Sequence, residues 1–196
     1  MTDARFKISS PEFQPLEEIP VRYSALGANI SPPLRWSGAP RDTVELALIC
    51  EDPDAPMLKP FVHWILYGLP ATVSALPAGI PQQEEFELPV LGRQGKNSLM
   101  EIGYTGPNPP FWHGAHHYIF KLFALNKHIE LWPGAGREDF YKAIEGAVIA
   151  EARIVGLFEK APAQKVRGAL TWLAAGAAGV AGVAAWKYLS PEKKSA

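Results

Sequence analysis

Short apolar runs of strand length, separated by proline, glycine or charged turns, fill the first 160 residues of the chain. Residues 43–51 and 61–69 read as strands on this basis. His116–Leu125 reads as a third. One of its faces carries His116, Tyr118, Phe120 and Leu122, and the other carries His117, Ile119, Lys121 and Phe123. Both faces are largely apolar, as expected of a strand covered on both sides. From residue 137 the spacing changes. Phe140, Ile144, Ala147, Val148 and Ala152 recur at helical intervals, which predicts a helix over 137–153. A short strand over 154–159 would follow. The pattern predicts a mostly β domain with one or two late helices.

Composition narrows the range of functions. The 196 residues suffice for one domain with a sizeable core, and 47% are apolar. A net charge of −1 gives no broad field to attract nucleic acid or an anionic membrane. Nineteen prolines and seventeen glycines imply many turns. Cys50 is the single cysteine and lies inside an apolar run, where it reads as a buried inert thiol. The N-terminal stretch MTDARFKISS carries Asp3 and has no apolar segment, so no secretory signal is read there and a cytoplasmic domain is expected. No cofactor is expected.

Residues 1–160 read as the domain, 161–168 as a linker, 169–189 as a hydrophobic helix that is a candidate membrane span, and 190–196 as a tail. Residues 169–186 contain no charge and would extend ~27 Å as a helix, near the thickness of a bilayer core. Trp172 lies near one end, with Trp186 and Tyr188 at the other, as interfacial anchors would. Eight alanines and three glycines make the segment only marginally apolar, so a soluble helix packed on a partner and a low-complexity tail are the alternatives.

Three stretches could carry chemistry. In Glu51-Asp52-Pro53-Asp54-Ala55-Pro56 the prolines stiffen a turn that follows a strand and would present Asp52. In the second strand, alternation places His63 with Phe61, Ile65 and Tyr67. In Gly106–Phe120, prolines 107, 109 and 110 restrict a loop whose remaining N–H groups suit an oxyanion, and His116 and Tyr118 project from one face of the strand behind it. Each stretch alone also reads as ordinary turn or core.

Their order along the chain resembles the phosphatidylethanolamine-binding protein family, the Raf-kinase-inhibitor-like proteins, and most closely its bacterial branch. The matching residues are Gly27–Trp36 (GANISPPLRW), then Asp52-Pro53-Asp54-Ala55-Pro56 with His63 in the next strand. Asn97, Gly103–Pro110 (GYTGPNPP) and His116–Leu125 follow, and the match closes with Ala150-Glu151-Ala152 and Val155-Gly156. The resemblance implies a large antiparallel sheet packed on a smaller one with late helices. It also implies a small anion pocket made of Asp52, Pro56, Phe61, His63, Pro110, His116 and Tyr118. The implied ligand is a phosphate-like group, either a phospholipid headgroup or a phosphorylated peptide, and a regulated protein partner such as a kinase is the further possibility. This chain departs from the pattern at Phe61, where many relatives carry tryptophan. It also departs at His117 in place of arginine, at the bulky Phe111-Trp112-His113, and at Ala147 in place of histidine.

On this reading Asp52 accepts a hydrogen bond from His63 and favours its charged form, and His63, His116, Tyr118 and loop N–H groups donate to the anion. Binding should then strengthen as pH falls toward ~6. A lipid tail or a peptide chain would gain further hold on Phe111 and Trp112. Two rivals are weaker. Asp52, His63 and His116 could form a two-histidine, one-carboxylate metal set, but no compact ligand spacing accompanies them. A phosphate-ester hydrolase would need a nucleophile, and Ser98 is the only serine near these motifs.

Overall fold

Alternation along the strands sorts the apolar side chains onto two faces of one large sheet, and each face is covered. The structure, a computed structural model, describes residues 5–160. In chain order the elements are β1 (Lys7–Ser9), a 3-10 turn (Val21–Tyr23), β2 (Leu34–Ser37), β3 (Glu45–Asp52) and β4 (Phe61–Pro70). They continue with β5 (Ala75–Leu76), β6 (Glu85–Phe86), β7 (Gly92–Gln94), β8 (His116–Leu125), α1 (Arg137–Ile144) and β9 (Val148–Phe158). The large sheet runs β6-β7-β4-β3-β8-β9 and the small one β1-β2-β5, with every strand pairing antiparallel.

One core lies between the sheets. Ile8, Leu34 and Trp36 of the small sheet meet Leu48, Cys50, Trp64, Tyr118, Phe120 and Leu122 of the large one. The opposite face buries Ala47, Ile49, Ile65, Tyr67 and Phe123 beneath Phe140 and Ile144 of α1 and the loop residues Ile129 and Leu131. Because both faces are dry, β3 is buried at every position and shows no polar alternation. Each fully buried large apolar side chain, such as Phe120, contributes about 1.5–3 kcal/mol.

The late helix is shorter than the periodicity predicts. It ends at Ile144, Gly146 takes a left-handed turn at φ 68°, and Val148 opens β9. Phe140, Ile144 and Ala147 of the predicted apolar stripe lie in the core under α1, whereas Val148 is exposed and Ala152 lies in the inter-sheet core. The physical reason is the open edge of β8. Its backbone groups need partners, and β9 supplies them from Val148 opposite Leu125 to Phe158 opposite His116. The strand expected over 154–159 is the end of this longer one.

A second departure shapes the site. Opposite β3, Cys50 pairs with Trp64 but the adjacent Glu51 pairs with Val62, so β4 carries one extra residue there, His63. The bulge resets the alternation. Val62 joins Ile65 and Tyr67 on the α1 face, while the ring of His63 sits 4.6 Å from Phe61 and 4.9 Å from Tyr118, measured between centroids. His63 therefore shares a face with Phe61 as expected, but not with Ile65 or Tyr67.

The linker, apolar segment and tail read over 161–196 lie outside the described residues. Among the described residues no helix is long and apolar enough to cross a membrane.

Candidate functional site

Asp52 ends β3, Phe61 and His63 begin β4, and His116 and Tyr118 begin β8. Antiparallel neighbours thus bring these five residues to one end of the sheet. The loops at that end close a cavity of about 310 Å³, the small end of the range for ligand sites. All seven residues expected from the sequence line it: Asp52, Pro56, Phe61, His63, Pro110, His116 and Tyr118. Ala25, Met57, Leu99 and Thr105 line it too.

The hydrogen bonds differ from those expected. Asp52 holds His116, not His63: its Oδ2 accepts from His116 Nδ1 at 2.7 Å, and its Oδ1 accepts from the Asp54 N–H at 2.8 Å. The bulge turns His63 the other way, and its Nδ1–H donates to the Thr105 carbonyl at 2.7 Å. A carbonyl can only accept, which fixes the proton on Nδ1 and leaves Nε2 as a bare acceptor. Burial lowers the His63 pKa to about 4, outweighing the opposing pull of the Thr105 carbonyl and the Asp52 charge. His63 is therefore uncharged at neutral pH, and its burial opposes the charged form through which acid-strengthened binding was expected.

His116 is the unusual residue. It is buried, its Nδ1 is committed to Asp52, and its Nε2 has no partner at all. A buried polar atom without a partner costs about 1–3 kcal/mol and needs an explanation. The ring of His113 stacks on it with centroids 5.5 Å apart. Tyr118 is buried beside His63, and burial pushes its phenol pKa well up, so the hydroxyl keeps its proton as a donor. His117, on the other face of β8, binds Asp54 twice through its ring and its backbone N–H. Burial works to raise the Asp54 pKa, but these bonds outweigh it and the carboxyl titrates below its ordinary value. The pair steadies the turn that presents Asp52.

Sequence reasoning missed several supporting residues. The Gly106 N–H, expected to face the anion, donates instead to Asn29 Oδ1 at 2.7 Å, and the Pro107 carbonyl accepts from the Ala25 N–H. Thr105 both holds the His63 ring and donates its N–H to the His63 carbonyl. Ser98 exchanges two bonds with Val62, its Oγ accepting from the Val62 N–H, so it serves as a strand clamp rather than a nucleophile. The signal for Asn29 and Thr105 was their place in the matched motifs, but only the folded chain gives their roles. Among the described residues no group of three metal-ligating side chains is arranged to hold a metal ion.

Gly106 has no room for a side chain. A Cβ there would meet the Tyr23 carbonyl and lie 2.7 Å from Ser24 Cα, both of them backbone. Gly106→Ala should cost about 1–3 kcal/mol by overpacking and displace the loop that ends in Pro110. Urea unfolding checks this, and an unchanged midpoint would show that the loop yields freely.

The two packed sheets carry a cup at one end of the large sheet, with a histidine–carboxylate pair at its base. The chain belongs to the phosphatidylethanolamine-binding protein family, whose sequence profile matches residues 9–159. It is similar to a UPF0098 protein of Pyrococcus abyssi, with 45% identity over 144 residues that cover 74% of this chain and 80% of that protein. It is also similar to two solved structures. One is E. coli YbcL, described as a member of the mammalian PEBP family (TM-score 0.75, 31% identity, 80% of this chain and 99% of that one). The other is a PEBP homologue from Chlamydia trachomatis (TM-score 0.71, 36% identity, 80% and 98%).

Proposed function

We propose that the chain is a non-enzymatic binding protein whose pocket accepts a phosphate-like group. The observation that carries this reading is the buried, unpartnered Nε2 of His116, on a ring whose other nitrogen Asp52 holds in place. With Nδ1 held by Asp52, a proton on Nε2 makes it a donor whose outlet is the pocket. A phosphate oxygen accepts from it and from the Tyr118 hydroxyl. The bare Nε2 of His63 then takes a hydrogen from the ligand, either the P–OH of a phosphomonoester or the ammonium of a zwitterionic headgroup. Asp52 faces the imidazole rather than the anion, which explains how a carboxylate serves an anion site. A role at a membrane, with residues 169–189 as anchor, fits the charge-free sequence of 169–186.

Calorimetric titration of the full chain with phosphorylethanolamine tests the reading. One charge-assisted hydrogen bond is worth about 1.5–3 kcal/mol, so His116→Ala should bind about 10- to 100-fold more weakly. Equal affinity in the two proteins would overturn the reading. Turnover of phosphate esters that disappears in His116→Ala would replace it with an enzymatic one.

A further inference from the structure

Two glutamates are buried on β3, and they differ in what faces them. Glu51 meets two cations, Lys121 at 2.7 Å and Arg137 at 2.6 Å. Glu45 is 3% exposed, yet among the described residues no lysine or arginine pairs with it. The ionisable group that reaches it is His128, whose side chain stands 80% exposed.

The far end of β4 explains how Glu45 is held. Between Leu46 and Leu48 of β3, β4 carries one extra residue, and Gly68 there takes φ 70°. The Gly68 N–H donates to Glu45 Oε1 at 3.0 Å, while Oε2 accepts from His128 Nδ1 at 3.1 Å and the Ile129 N–H at 3.3 Å. Every partner donates, which suits a carboxylate. A neutral amide oxygen would accept from these N–H groups as well, so holding the bulge does not call for a negative charge. Burying one with no countercharge is costly and needs an explanation. Glu45 also lines a cavity of about 880 Å³ at the start of β3. Asp52 and its pocket lie ~24 Å away along the strand. Leu69, Phe86 and Leu91 give this cavity apolar walls, and Glu85 and Glu87 add exposed carboxylates. Arg93 Nε donates to Glu85 at 2.8 Å, so that pair cancels and the lining keeps the charges of Glu45 and Glu87.

We propose that this cavity is a second binding site, separate from the pocket at the other end of the sheet, and that it takes a small organic amine. The ammonium supplies the cation that Glu45 lacks, and the apolar body of the ligand lies against Phe86 and Leu91. A carboxylate offers about four acceptor positions, of which Glu45 uses three, so one remains for an ammonium N–H. The cavity volume is in the range of sites for small organic molecules. The proposal does not depend on the phosphate reading of the other pocket.

The test titrates the full chain at neutral pH with n-hexylammonium, hexanol and hexanoate, and reads the backbone amide signals of Gly68 and Ile129 by NMR. The expected result is saturable shifts at both amides with hexylammonium, binding about 10-fold or more weaker with hexanol, and no shift with hexanoate. Glu45→Gln should weaken hexylammonium about 10- to 100-fold. Glu87→Lys, a change at an exposed side chain, should weaken it several-fold and keeps the test open if Glu45→Gln does not fold. Hexanol binding as tightly as hexylammonium would make the cavity merely apolar and overturn the proposal. Unmoved signals at Gly68 and Ile129 would overturn it too, and would leave a protonated His128 as the countercharge of Glu45. Amine binding that survives both substitutions unchanged would place the ligand elsewhere. A lysine side chain offers the same ammonium, so Nα-acetyl-lysine amide is titrated alongside. Tighter binding of that compound than of hexylammonium would assign the cavity to a partner protein's lysine and overturn the small-amine reading.

Discussion

Replacing Lys121 and Arg137 together with methionine should cost about 3–5 kcal/mol, and adding Glu51→Gln should restore most of it. Glu51 lies next to Asp52 but points to the α1 face, where only 1% of it is exposed. Its carboxylate takes hydrogen bonds from Lys121 Nζ at 2.7 Å, Arg137 Nε at 2.6 Å and the Tyr141 hydroxyl at 2.7 Å. Burial alone would raise its pKa, but these three donors outweigh it and hold the carboxyl below its ordinary range. Removing both cations leaves a buried negative charge with one neutral donor, whereas a glutamine amide at this position would remove the charge itself. The cluster ties β3, β8 and α1 together one residue from the pocket, so its loss should loosen Asp52 as well. Chemical denaturation of the double and triple variants checks this. A double variant within about 1 kcal/mol of wild type, a small fraction of the expected cost, would mean that water reaches Glu51 and the cluster is a surface feature.

Between pH 7 and pH 4 the protein should lose about 3 kcal/mol of stability through His63 alone. Burial lowers the His63 pKa to about 4 in the folded chain, from an ordinary 6.5. Between those two values the unfolded chain binds the proton and the folded chain does not, so stability falls as pH falls through that window. The contribution is complete above pH 6.5 and exhausted near 4. Carboxylates titrate over the lower part of the same range, so the variant His63→Gln supplies the comparison. Its amide can donate to the Thr105 carbonyl without titrating. Stability measured by urea unfolding should fall less steeply with acid in His63→Gln than in wild type. Parallel profiles would place His63 in contact with water and remove the argument for its neutral form.

The sandwich and the residues that meet at one cavity were legible in the sequence because strand-length apolar runs and fixed motifs are local signals. His116–Leu125 has the bounds read from its alternation, and its two faces divide as expected between the inter-sheet core and the α1 side. The helix over 137–153 was misjudged because Ala147, Val148 and Ala152 satisfy helical spacing, while the deciding fact is the unpaired edge of β8, more than twenty residues away in the chain. The partner of Asp52 was misjudged for a similar reason. Strict alternation has no means of announcing the extra residue in β4, and that residue is what turns His63 toward Thr105 and leaves Asp52 to His116. The roles of Asn29 and Thr105 depend on chain crossings that no spacing encodes.

The central claim is that His116 Nε2 is the donor awaiting a negatively charged oxygen. NMR of the histidine imidazole nitrogens during titration of the full chain with inorganic phosphate tests it most directly. The account predicts that His116 Nε2 shifts to a hydrogen-bonded, protonated signature and that His63 Nε2 responds with it, while exposed His128 stays unchanged. Shifts at His128 and His117 with His116 and His63 unmoved would contradict it.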